Sequence, residues 1–326
     1  MSITSRLDGY QRRHPKAGFP IAVVYKYFDD QGGYLAALIT YYGFLSLIPL
    51  LLLMSTILGF VLAGDPQVQH VVLNSALSQF PVIGQQLQEP KRIGGGVAGL
   101  IIGILGALYG ALGVAQALQN AMNIAWAVPR NERPNPFKAR ARSLLLLATV
   151  GLAVLGAAAV SAVSAGAGKV GASLGSGAHT LLDLLLVAAS VAVNAAAFIF
   201  AFRISTARPL TVRQIAPGAI GAAVVWQLLQ SFGATYVKHV IANASATNAV
   251  FALVLGLIAF IYVAAVAVVM CIEVNVVRVN KLHPRALLTP FTDNVELTPG
   301  DEAVYTDQAE AQRTKGFEQV DVSFDR

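Results

Sequence analysis

Only 12% of the 326 residues are charged, and one cysteine is present. A lone thiol, Cys271, excludes an intrachain disulfide and a thiolate metal cluster; lying in an apolar stretch, it is expected to be a packing residue. The histidines have no His-x-x-x-His spacing, and His70, His179 and His239 fall in three separate gaps, with Asp65, Glu89 and Asp183 in the same regions. No metal-ligand pattern follows from that scatter. Phosphate-binding loop, dinucleotide fingerprint, nucleophile elbow and zinc-ligand signatures are also missing; Gly94-Gly95-Gly96 is not followed by the Lys and Ser/Thr of a phosphate loop. The reading is therefore of a chain with no catalytic residues, no metal and no cofactor.

What is abundant is apolar sequence: 56% of the residues are hydrophobic and mean hydropathy is +0.62, too much for a soluble domain of this size to hide from water. Six stretches stand out, Leu35 to Ala63, Gly94 to Gln116, Ser143 to Ala167, Leu181 to Phe202, Gly218 to Val237 and Ala249 to Ile272. At about 1.5 Å rise per residue each can cross a hydrocarbon core of about 30 Å. Of the 23 Lys and Arg residues, 19 lie in alternate gaps and at the two ends. The positive-inside rule assigns those segments to the cytoplasm. The expected fold is all-α: a polytopic membrane protein of six transmembrane helices, with amphipathic interfacial helices and both termini inside. Residues 1–33 form a cytoplasmic N-terminus, 34–276 the membrane domain and 277–326 a cytoplasmic tail. The N-terminus has no apolar region with a cleavage site, so no cleaved signal peptide is expected. Residues 287–326 carry nine acids against three basic residues and show no sustained period, which reads as disorder. Without that acidic tail the body is strongly basic beside its spans, which fits anionic lipid headgroups and not nucleic acid.

Before the first span, Ile21, Val24, Tyr25 and Phe28 recur at helical spacing, as in a helix at the inner interface or one packed on the bundle, and Gly32 and Gly33 are expected to turn the chain into the bilayer. Leu73, Ala76, Leu77 and Phe80 predict a further amphipathic helix outside. In the second span Gly96, Gly99, Gly103, Gly106, Gly110 and Gly113 alternate steps of three and four, making one side-chain-free face for close helix packing, with a homodimer seam or a sliding surface as alternatives. The small-residue third span is a plausible partner for it. Polar residues within spans are functional candidates. Tyr41, Tyr42, Ser46 and a helix-kinking Pro49 lie on the first span, Asn194 on the fourth and Gln227 on the fifth; convergent, they would line a substrate pocket, and otherwise they are hydrogen-bonding glue between helices. Arg203 and Glu273 close the fourth and sixth spans at the inner boundary, where they either pair or snorkel separately.

The first-span string from Ala36 to Leu50, AALITYYGFLSLIPL, resembles the signature of the YihY/BrkB family of bacterial inner-membrane proteins. Asn123, Trp126, the basic loop, Arg203, Pro217-Gly218, Trp226, Phe232, Tyr236 and Glu273 match in order, while Tyr109 and Asn248-Ala249 depart from the usual Trp and Tyr-Gly. The Ala-rich style and acidic tail resemble actinobacterial YhjD-like members. The resemblance implies six spans with both ends inside. Members once labelled ribonuclease BN imply an activity for which this chain has no soluble catalytic domain and no metal-holding cluster. Links of other members to envelope-lipid export imply a transporter or flippase-like exporter of a lipidic or amphiphilic envelope molecule in the bacterial cytoplasmic membrane. The alternative is a non-transporting scaffold or assembly factor for the envelope, with membrane lipids, further copies of the chain or assembly proteins as partners.

Overall fold

The computed structural model describes residues 3–61, 96–171, 176–236, 246–292 and 294–324. These form helices α1 (Ile3–Arg13), α2 (Pro15–Asp29), α3 (Gly32–Val61), α4 (Gly96–Ala125), α5 (Pro136–Gly171), α6 (Ser176–Ser205), α7 (Val212–Tyr236), α8 (Ala246–Asn280) and α9 (Pro299–Ala311), plus a 3-10 turn at Arg130–Glu132, with no strand among the described residues. Five helices, α4 to α8, contain stretches long and apolar enough to cross a membrane; in α3, which runs 30 residues, the clearly apolar described part is Gly32–Leu47. Several of the long helices outrun their apolar stretches. Measured against the stretches read from the sequence, α4 continues to Ala125, α5 begins at Pro136 and α8 runs on to Asn280. Pro136 suits a first helical position, where its missing N–H is not needed. The expected outer helix at Leu73 to Phe80 lies outside the described residues.

The long helices pack in chain order, α3 on α4, α4 on α5, and so on to α8, which returns to α3 and closes a ring; α4 also touches α6 and α8. Both terminal segments and the loops after α4 and α6 meet at one end. Gln11 donates to the Arg285 carbonyl, the Leu287 N–H donates to Asp8 at 3.0 Å, the Ala207 N–H donates to Asn123 at 2.8 Å, and Arg313 pairs with Glu132 at 2.7 Å. These are the segments that the charge count placed together. The main buried core gathers there too, with Ala22, Met122, Trp126, Phe202, Ile215, Ile272, Val276, Leu282 and Val304 packed as one cluster. Elsewhere the helices bury little: across the five span stretches only 6% to 28% of residues are inside the protein. Their exposed Leu, Ile and Val are suited to lipid.

Three expectations change at this end. The tail, read as disordered, contains α9, started by a capping box in which Thr298 and Asp301 satisfy each other's backbone N–H groups. Its helix is mostly polar and lacks a strong apolar period, so composition concealed it; burial of Asp301 and Val304 against the body holds it. The turn into α3 is made by Gln31, whose φ is 55°, while Gly32 makes room for Tyr27, whose ring would lie 2.3 Å from an added Cβ. The α2 helix packs through Ala22, Val23, Lys26, Tyr27 and Asp30, leaving Val24 and Phe28 exposed. Its charged side faces protein and much of its apolar stripe faces outward, so both locations considered for the helix contribute.

At the same end α7 and α8 lock together around Pro217. Proline has no N–H for the carbonyl four residues earlier, that of Arg213, and Arg278 of α8 donates to it at 2.7 Å instead. The Asn275 amide bridges the next turn, accepting from the Gly218 N–H at 2.8 Å and donating to the Ile215 carbonyl at 2.9 Å. Gly218 is required: an added Cβ would sit 2.0 Å from the Cys271 carbonyl.

Candidate functional site

The glycine face of α4 is a packing surface, and its partner is the first apolar stretch, not the third. A Cβ on Gly106 would lie 2.6 Å from Pro49, one on Gly110 2.4 Å from Ser46 and one on Gly113 2.2 Å from the Tyr42 ring. Gly103 is buried on the same helix; Gly96 and Gly99 lie in its first turn. Thus Tyr42, Ser46 and Pro49, three expected lining residues, fit into the glycine row one helical turn at a time. Ser46 turns its hydroxyl to the Gly43 carbonyl of its own helix at 2.8 Å, and α3 continues through Pro49. Tyr41 points away and is exposed, its ring 5.1 Å from that of Tyr42. Asn194 donates to the Ser190 carbonyl one turn back, at 3.0 Å, and Gln227 is half-buried on α7. The six residues do not meet as one polar group: three form the α3–α4 seam, and the others lie on separate surfaces.

The ionisable site lies at the packed end. Glu273 of α8 is wholly buried, and neither carboxylate oxygen has a hydrogen-bond donor among the described residues. Arg203, its expected partner, is exposed at the end of α6, and no ion pair joins them among the described residues. Instead this stretch of α8 packs on α2, Ile272 and Val276 sharing a buried cluster with Ala22 and Val23 and Val269 another with Tyr27, which puts Glu273 within electrostatic reach of Lys26 and of Asp30, the residue that caps α2. The Lys26 ammonium is bonded to Asp30 one turn on and to the Ala125 carbonyl of α4 at 3.3 Å; both side chains are almost completely enclosed. Gln308 of α9 donates to the other Asp30 oxygen at 3.1 Å. Four helices, α2, α4, α8 and α9, therefore contribute to one small charged group.

A second group adjoins it. Arg285, wholly buried, binds Asp301 at 2.5 Å and lies 2.9 Å from Asp29, the latter a Coulombic contact outside hydrogen-bond alignment. The other Asp301 oxygen accepts from the Ala286 N–H at 3.0 Å and from the Thr298 hydroxyl at 2.7 Å, and the Arg285 guanidinium stands 5.7 Å from the Tyr305 ring centroid. Asp29 and Asp30 stand at the C-terminus of α2, where the helix dipole disfavours anions, so Lys26 and Arg285 supply the compensating charge. Burial opposes the charge on Lys26, but Glu273 and Asp30 outweigh it and raise its pKa above the ordinary lysine value. Burial is also the main cause raising the Asp29 carboxyl, with Arg285 pulling the other way.

This arrangement encloses the charged groups almost completely and leaves one carboxyl group without a donor among the described residues. No group of three or more His, Cys, Asp or Glu side chains suited to a metal occurs among the described residues. Of the site, sequence reasoning found Glu273 alone. The available signal was Lys26 and Asp30 at a four-residue spacing on the face opposite the apolar stripe, which in a soluble protein would be the solvated side.

The chain belongs to the family of virulence factor BrkB, whose model matches residues 23–293. The resemblance carried by the Ala36–Leu50 string is thereby established for most of the chain. Lys26, Asp30, Glu273 and Arg285 fall inside the match; Asp301 and Gln308 of α9 lie beyond it. No curated protein and no solved structure matches the chain.

Proposed function

We propose that this BrkB-family membrane protein is a transporter or flippase-like exporter that moves a lipidic or amphiphilic envelope molecule across the bacterial cytoplasmic membrane. In this reading there are six spans, with the end carrying both termini in the cytoplasm. The carrying observation is the asymmetry of the ring: core, charged groups and terminal helices seal one end, whereas the span stretches bury no more than 28% of their residues. A carrier needs a gate at one end that opens separately from the rest, and a discrete charged layer provides a set of contacts that can be made and broken together. Thinly packed apolar helices let an amphiphile enter sideways from the leaflet. The outward Val24 and Phe28 of α2 place an apolar edge beside that entrance.

The test is lipid movement in vesicles containing the purified full chain and fluorescent phospholipid in both leaflets, with an impermeant reductant bleaching the outer leaflet. Protein-containing vesicles are expected to lose fluorescence beyond the outer-leaflet fraction. Loss identical to that of protein-free vesicles, across anionic and neutral lipids and under an imposed ion gradient, would overturn the transport reading. A scaffold is favoured by one feature, the clasp between Arg313 and Glu132 that ties tail to loop; it predicts that deleting the tail abolishes partner recruitment with lipid movement absent throughout.

A further inference from the structure

Glu273 is wholly enclosed with no donor to either oxygen among the described residues, on the stretch of α8 whose Val269, Ile272 and Val276 share buried clusters with Val23 and Tyr27 of α2, the residues that flank Lys26 and precede Asp30. Two carboxylates enclosed in one layer attract only when a hydrogen lies between them. We propose that the Glu273–Asp30 pair is a proton-binding site: one proton is shared between the two carboxylates, with Lys26 as the fixed counter-charge.

The charges favour this occupant. With Lys26 protonated and both acids ionised, the pocket would carry a net negative charge while buried almost completely. One proton makes it neutral. A metal cation would have to compete with the Lys26 ammonium, which already bonds to Asp30. The donors also locate the proton: Asp30 accepts from Lys26 on one oxygen and from Gln308 on the other, so each of its oxygens already has a donor. Among the described residues Glu273 receives no donor, so the proton resides on Glu273 and is donated to Asp30. The surrounding groups are consistent with a single exchangeable proton. On α2, Asp29 is engaged by Arg285; on α4, Lys26 meets the Ala125 carbonyl; on α9, Asp307 lies within electrostatic reach of Lys26 and Asp30, with Arg208 near it.

Release requires that α9 or α2 move. The Glu273 O–H bond then breaks, its electron pair stays on the carboxylate, and the proton passes to water, with no redox change. Gln308 on Asp30 and Arg285 between Asp29 and Asp301 are the contacts that keep water out. That proton movement drives export rests on the transport reading above; the proton site does not.

The experiment is infrared difference spectroscopy of the full chain in lipid nanodiscs, in light and heavy water, at neutral pH and after an alkaline jump. The wild type is expected to show the carbonyl stretch of a protonated carboxyl at neutral pH, shifted in heavy water and lost in Glu273→Gln. Because Glu273→Gln could fail to fold, Asp30→Asn is measured beside it and is expected to shift the stretch, since the charged acceptor is gone. No such band in the wild type, an unchanged band in Glu273→Gln, or an unshifted one in Asp30→Asn would overturn the proposal. So would a band that appears only when sodium and potassium are removed, which would identify a metal cation as the occupant. A pH-sensitive dye inside vesicles separates the two readings: the expected band without proton movement leaves the site standing and removes its link to transport.

Discussion

Replacing Gly110 with Ala tests the α3–α4 seam most directly, because the new methyl would meet backbone as well as side chain. Its carbon would lie 2.4 Å from the Ser46 Cβ, 2.6 Å from the Ser46 Cα and 2.9 Å from the Ser46 nitrogen. Comfortable contacts between carbon atoms are about 3.5–4.0 Å, so the helices must separate by about 1 Å. That separation also loosens Gly106 on Pro49 and Gly113 on Tyr42, since all three share one helix pair. Overpacking of this kind costs about 1–3 kcal/mol, and the better helix propensity of Ala returns at most about 1 kcal/mol. The expected net loss is about 1–2 kcal/mol. Gly151→Ala is the matched control, because among the described residues nothing lies within 4 Å of an added Cβ there and only the propensity gain applies. Thermal unfolding in one detergent should lower the midpoint of Gly110→Ala by about 2–8 °C, at about 2–4 °C per kcal/mol for a chain of this order of size, and leave Gly151→Ala level or slightly raised. Equal midpoints for the two variants would refute the seam.

The remaining predictions concern the packed end. Gly218→Ala puts a methyl 2.0 Å from the Cys271 carbonyl and should abolish monodisperse protein in size-exclusion chromatography, whereas Gly221→Ala, whose nearest neighbour is the Cys271 sulfur at 3.5 Å, should purify normally. Asp301→Ala removes the α9 capping box and leaves Arg285 buried with one partner fewer, a change expected to cost about 3–5 kcal/mol locally; limited proteolysis should then cut residues 299–311 many-fold faster with the bundle intact. Lys26 has a folded-state pKa raised above its ordinary 10.5, so its stabilising contribution is complete below that value and lost as pH rises through the folded one. Hydrogen exchange in α2 and α9 should therefore stay protected through mildly alkaline pH and loosen together above about 10.5, and Lys26→Met should loosen both at neutral pH.

Sequence exposed the membrane body because bilayer solvation acts on whole stretches: apolar length marks spans, and Lys and Arg mark the side. The gathering of residues 3–13, 130–142, 206–213 and 281–318 at one end follows the same logic. The glycine row was equally visible, since steps of three and four define a face without knowledge of the partner. Which helix fills that face was not visible. Tyr42, Ser46 and Pro49 recur at three and four residues as well, but the pattern describes a polar pocket lining as well as it describes the complement of a glycine groove, and only the packed backbone separates the two. For α9 the difficulty differs: Thr298 and Asp301 form a recognisable capping pair, yet the helix after it lacks the apolar stripe that would have completed the signal, because burial of Asp301 by Arg285 substitutes for part of an apolar face.

The charged site stayed concealed for a reason that applies to any helix lying at a bilayer surface. Soluble-protein logic sends the apolar stripe of α2 inward and its charges to water. Beside a membrane the stripe has a second apolar partner, so Phe28, 69% exposed within the protein, can face lipid while the Lys26–Asp30 side docks on α8. Once that inversion is allowed, a buried acid at the end of a neighbouring span has somewhere to find its counter-charge. The partner of Glu273 then comes from the helix preceding the first span, and not from Arg203, because α2 presents a cation within the same closed layer whereas Arg203, at the end of α6, remains exposed. Proton occupancy and the conformation of the sealed end are thereby coupled: any movement of α2 or α9 that admits water changes the stability of the Glu273 charge, and any change of that charge alters how firmly α2 holds to α8.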